Sequence, residues 1–213
     1  MVMLKIVLSL TAIAILVLLS EFLGHKKFIK TEIKRKFFHV GAGSFIAFWP
    51  WFMSFHTIEV LGIFMAVVVL INDLLRVFDF DEGLGRRTYG VFFLALAISV
   101  TAFLAQSKIE FMIAILCVSI ADAFAAVAGT FYGSRWRYYV AGQEKTVIGT
   151  MVFWLAALIV IATSLFFSHS YPNDYLWLIV VLPPILTVTE SLGVFGIDNL
   201  SIPLVTVLIL NQF

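Results

Sequence analysis

The sequence predicts an all-α, polytopic integral membrane protein, with residues 1–213 forming one transmembrane domain. Three observations carry this expectation. Hydrophobic residues make up 62% of the 213 and charged residues only 13%, against roughly half and a quarter in a soluble domain. The apolar residues fall in runs of the length a bilayer-spanning helix needs, about 20 residues. The basic residues gather in alternate connections between those runs. Mean hydropathy is +1.06, and no repeat, low-complexity tail or long polar stretch offers material for a second domain.

Taken in order, spans are expected near 2–22, 37–55, 57–75, 90–106, 109–130, 147–168 and 174–190, about seven in all. A short apolar segment follows at 200–213; as a helix it is about 20 Å long at 1.5 Å per residue, either a half-span or a span completed by tilting. Lys5 before an apolar run suggests a signal peptide. That run passes into "SEFLGHKKFIKTEIKRK" with no small-residue cleavage pattern, so it reads as the first span. The single cysteine, Cys117, permits neither an intramolecular disulfide nor a cysteine metal cluster and reads as packing.

Twelve of the 14 lysines and arginines lie in three connections, at 26–36, 76–87 and 135–145; the other two are Lys5 and Lys108. Loops with this excess face the cytoplasm, which puts the N-terminus outside a cell membrane. A net charge of +1 is too small to argue for nucleic acid.

That orientation brings the unusual polar residues to one face. Asp122 lies in the fifth span, where an ionised carboxylate is costly and therefore a functional candidate. Arg35, Lys36 and His39 share one helical face at the entry of the second span, which suits a phosphate clamp or a basic flank for anionic lipid headgroups. Asp73 and Arg76 close the third span and Glu190 the seventh, with Asp198 and Asn199 just beyond. Hard oxygens such as those of Asp198 and Asn199 suit Mg²⁺, although Asp-Asn is equally an ordinary turn.

Asp122, Ala126, Gly129 and Gly133 form one stripe at steps of four, three and four. It suits a metal ion and phosphates close to backbone, or a small-xxx-small helix contact. Lys145 and Thr146, with Gly149, stand where the chain re-enters the bilayer; an ammonium and a hydroxyl there suit nucleotide phosphates. Glu144 excludes a Walker A loop, which needs glycine in its place.

Together "KRKFFH" (34–39), "NDLLR" (72–76), "ADAFAAVAGTFYG" (121–133), "EKTVIGT" (144–150), Glu190 and "DNLSIP" (198–203) resemble, in order, the CTP-dependent lipid kinases. That family includes dolichol, phytol and diacylglycerol kinases and is related to the phosphatidate cytidylyltransferases. The resemblance implies a polytopic helical enzyme that uses a divalent metal to move the terminal phosphoryl of CTP onto a lipid hydroxyl. It matches Asp122, Lys145 and the Asp198–Asn199 pair to the family's motifs. Ala121, Ile148 and Ile197 stand where the family often has glycine, an acidic residue and aspartate.

The expected machinery is Arg35, Lys36, Arg76, Gly129, Gly133, Lys145, Thr146 and Gly149 around the nucleotide. Asp122, Glu190, Asp198 and Asn199 would hold the metal, and His39 or a carboxylate would receive the alcohol proton. A cytidylyltransferase making a CDP-lipid is the alternative chemistry, and a small transporter or structural membrane protein a third reading. The sequence leaves the lipid open among polyprenols, phytol, dolichol and diacylglycerol.

Overall fold

The computed structural model describes residues 2–25, 31–75, 89–168 and 175–213, without the side chains of 2, 20–21, 23–25, 31–35 and 175. In order, the helices are α1 (Val2–His25), α2 (Thr31–Ala47), α3 (Phe55–Leu75), α4 (Gly90–Leu104), α5 (Lys108–Leu116), α6 (Asp122–Tyr132), α7 (Val147–Ser168), α8 (Tyr175–Leu192) and α9 (Asp198–Leu210). A π-helical turn, Cys117–Ala121, joins α5 and α6 into one continuous rod. The protein is a helical bundle of membrane type. Helix α3, the rod Lys108–Arg135 and α7 are each long and apolar enough to cross a bilayer, and α1, α4, α8 and α9 contribute shorter apolar stretches.

The helix ends follow local chemistry. Pro50, with no N–H to donate and a constraint on the residue before it, stops α2 and sets a 3₁₀ turn at Trp49–Trp51. The second span therefore ends earlier than the apolar run at 37–55 suggests. Its start extends the other way, because the polar stretch from Thr31 is helical too. Ser54 caps α3 by accepting the Thr57 N–H at 3.2 Å. Ser107 and Glu110 form a capping box at α5, the Glu110 carboxylate accepting from the backbone of Gln106 and Ser107 at 2.6 and 3.2 Å.

The connection after α6 holds a feature absent from the all-α expectation, a hairpin of β1 (Arg137–Val140) and β2 (Gln143–Thr146). Its two-residue loop has positive φ at both positions, 46° at Ala141 and 79° at Gly142, as the tightest hairpin turns require.

Small residues set the closest crossings, as is usual where lipid supplies no hydrophobic drive between helices. Helix α3 lies on α4 through Gly62, where a Cβ would sit 2.6 Å from the Ser99 amide nitrogen. Because the obstruction is backbone, Gly62→Leu should force the helices apart and cost about 1–3 kcal/mol. Thermal unfolding in detergent measures this, and an unchanged midpoint would mean the crossing yields freely.

Helices α4 and α9 run parallel, tied at both ends. The Asn199 amide donates to the Gly90 carbonyl at 2.8 Å, and the Asn211 amide to the Leu104 carbonyl at 3.0 Å. The C-terminal segment therefore extends to the same depth as α4 rather than ending halfway. One end of the bundle carries the Trp49–Trp51 turn, which Lys5 bonds through the Phe52 carbonyl at 2.9 Å and over which Lys108 sits at 6.0 Å. The other end carries the hairpin, Gly90, Glu190 and Asp198. Cys117 is fully buried in the core.

Candidate active site

The site at the hairpin end grows from the π turn. Such a turn carries one residue more than an α turn and rotates the residues beyond it, and in helices it is frequently found where function needs a side chain re-aimed. Asp122 comes directly after it. Helix α2 crosses here in close contact, since a Cβ on Gly43 would fall 1.8 Å from the Ser119 Oγ. Lys36, two turns earlier on α2, thereby reaches the Asp122 carboxylate, and both side chains are buried. In a buried ion pair of this kind each charge offsets part of the desolvation cost of the other.

His39 shares that face of α2 but is fully buried and lies outside the lining of the cavity at this end of the bundle. The Arg35 side chain and Arg76 fall outside the described residues.

The hairpin delivers Lys145. Its ammonium donates to the Glu190 carboxylate and to the Glu190 backbone carbonyl, each at 2.6 Å, and stands 3.9 Å from Asp198 Oδ2. Burial pulls the Lys145 pKa down, but the attraction of Glu190 and Asp198 outweighs it and holds the group above the ordinary lysine value. Lys145 is thus a full cation at neutral pH.

Thr146 caps α7, its hydroxyl accepting the Gly149 N–H at 3.1 Å. The three glycines singled out in the sequence converge on it. A Cβ at Gly129, Gly133 or Gly149 would lie 2.7, 2.5 or 2.8 Å from Thr146 side-chain atoms. For Gly129 and Gly133 this close approach fits the small-xxx-small reading of the stripe, while Gly149, expected at the sequence as a turn glycine beside phosphates, meets the same hydroxyl. Gly129, Thr146 and Gly149 also line the cavity; Gly133 does not.

The α8–α9 connection brings the remaining carboxylates in. Phe195 and Gly196 both have positive φ, 55° and 89°, and Gly196 presses on Gly90 so closely that a Cβ would lie 2.6 Å from its backbone. The Phe195 carbonyl accepts the Tyr89 N–H at 3.1 Å. At Gly193 a Cβ would meet that of Asp198 at 2.5 Å, so glycine lets the first turn of α9 close onto the last turn of α8. Asp122, Glu190 and Asp198, from three helices, then present carboxylate oxygens within 4.8 Å of one another.

These groups surround a cavity of about 400 Å³, lined among others by Lys36, Asp122, Lys145, Glu190, Asp198 and Asn199. Asn199 stands beside the carboxylates, its amide nitrogen held by Gly90 and its carbonyl oxygen buried with no hydrogen-bond partner among the described residues. Three carboxylates gathered this closely form a hard-oxygen donor set that fits Mg²⁺. Two lysines against three carboxylates leave room for added positive charge, and those lysines are cations a phosphate chain can engage.

The sequence reading brought together Lys36, Asp122, Lys145, Glu190, Asp198 and Asn199, and the structure does the same. It missed the hairpin and a hydroxyl cluster beside it, Tyr138 with Thr150 and Ser191 at 2.6 and 3.1 Å. The signal was present as strand-like "RYYV" before Ala-Gly.

No family model and no solved structure matches this sequence. Among characterised proteins, it is 31% identical over 209 residues to phytol kinase from Synechocystis sp. (strain ATCC 27184 / PCC 6803 / Kazusa), an alignment covering 95% of this chain and 88% of the relative. With similarity across nearly the whole length of both proteins, the chain belongs to the polyprenol and phytol kinase family.

Proposed function

We propose that this protein is a membrane-embedded, CTP-dependent kinase that transfers the terminal phosphoryl group to the hydroxyl of a lipid alcohol of the polyprenol or phytol type. The observation that carries the reading is the gathering of Asp122, Glu190 and Asp198 with Lys36 and Lys145 around one cavity at the end of a membrane-type bundle. The phytol kinase relative supports the lipid-alcohol acceptor.

Phosphoryl transfer asks a protein chiefly to position the reactants and neutralise charge. In this reading Lys145 and Lys36 exchange carboxylate partners for phosphate oxygens, and Arg35 on the same helix adds a third cation. Asp122, Glu190, Asp198 and the Asn199 carbonyl would hold Mg²⁺ or another divalent ion, which when bound supplies charge neutralisation on the triphosphate. The lipid oxygen forms a bond to the terminal phosphorus as the bridging P–O bond breaks and CDP leaves. The hydroxyl proton passes to a carboxylate of the cluster. His39, outside the cavity lining, is the less supported acceptor.

The excess of basic residues in the loops at the hairpin end supports a cytoplasmic hairpin end and an N-terminus outside. A lipid alcohol could then keep its chain in the leaflet while its hydroxyl meets a soluble nucleotide.

Purified protein incubated with phytol, other prenols or diacylglycerol should move label from γ-labelled CTP into lipid, with chelator abolishing the transfer. Label entering lipid from α-labelled CTP instead would replace the kinase with a cytidylyltransferase. No labelled lipid from either nucleotide would reject both.

A further inference from the structure

We infer that Tyr138 is a positioning residue for the nucleotide-binding lysine, keeping the hairpin docked while Lys145 changes partners. The inference rests on the proposed kinase function. Tyr138 and Lys145 are directly paired across the two strands, and side chains opposed in this way project from the same face of the ribbon.

Among the described residues, two hairpin side chains bond to α8. Lys145 reaches Glu190, and the Tyr138 hydroxyl reaches Ser191, the next residue, at 3.1 Å. The same hydroxyl lies 2.6 Å from the Thr150 Oγ1 on the first turn of α7. The Thr150 hydroxyl also lies within bonding distance of the Thr146 carbonyl, to which it donates at 3.2 Å. One phenol thus links β1, the strand paired with the lysine's own strand β2, to the first turn of α7 and to α8, which carries Glu190.

Among the described residues, the hairpin's other polar contacts run within it, close its base, join Thr146 to the first turn of α7, or reach from Lys145 to Asp198 at 3.9 Å. Arg137 pairs with Glu144 at 2.9 Å, and the Val147 N–H donates to the Trp136 carbonyl at 3.1 Å. When Lys145 turns from Glu190 to a phosphate, the charged tie to α8 is released. The Tyr138 tie does not involve charge and has no reason to break with it. It holds Lys145 at phosphate distance in the state where the lysine no longer anchors itself.

Tyr138→Phe removes one oxygen and keeps the ring. The KM for CTP should rise roughly 3- to 10-fold, in keeping with loss of a modest hydrogen-bond network, while kcat and the KM for the lipid alcohol stay within twofold. Amide hydrogen exchange over 137–146 should quicken in the variant, an effect read without any turnover. Ser191→Ala combined with Tyr138→Phe should be no worse than Tyr138→Phe alone, because Tyr138→Phe already removes the bond between them. Unchanged exchange over the hairpin, or a fall in kcat with the KM for CTP unaltered, would overturn the inference. If the wild-type protein transfers no phosphoryl group, the kinase reading fails on its own, and the exchange measurement still decides whether the phenol anchors the hairpin.

Discussion

Asp122→Ala should lower stability by about 3–5 kcal/mol and abolish phosphoryl transfer. The stability loss arises from Lys36, which is buried against this carboxylate. Removing one partner of a buried pair leaves an uncompensated charge, which costs far more than the pair itself contributes. Replacing both partners with apolar groups, as in Lys36→Met with Asp122→Leu, should restore most of the stability and none of the activity. Unfolding midpoints in detergent and the γ-label assay separate the two effects. A double variant that regained activity would remove Asp122 and Lys36 from the chemistry and leave them a structural pair.

The second large effect is expected at Lys145. Lys145→Ala removes a cation aimed into the cavity, and loss of one electrostatic contact of this kind typically lowers kcat by about 10²–10³-fold. The same change should act in the opposite direction on metal binding. Glu190 and Asp198 lose the ammonium that engages them, so Mn²⁺ added without nucleotide should bind more tightly to Lys145→Ala than to the unaltered protein. Calorimetric titration gives the comparison. Equal or weaker Mn²⁺ affinity would show that Lys145 and the cation do not share those carboxylates.

Particular residues show how far the sequence could be read. The spans were legible because hydrocarbon imposes a length and a composition on any segment that crosses it. Even there, Pro50 and the helical stretch from Thr31 moved α2 away from its apolar run. Asp122 stood out through its cost in an apolar setting, whereas Tyr138 gave no such signal, since a tyrosine in a loop is ordinary and its bonds are to residues 12 and 53 positions away. His39 looked equivalent to Lys36 on a helical face, yet only Lys36 lines the cavity. Helical periodicity fixes a direction around the axis and says nothing about what stands opposite.

By itself the sequence determined that this chain forms apolar helices of membrane type, with its polar residues concentrated in and beside the basic connections, because hydropathy and charge are local properties of consecutive residues. Only the tertiary structure decided which charges meet. The π turn ahead of Asp122, the glycine crossings at Gly43, Gly62 and Gly193, and the left-handed pair at Phe195–Gly196 set the distances between segments far apart in the chain. Those distances depend on close packing between elements, which no single stretch of sequence contains.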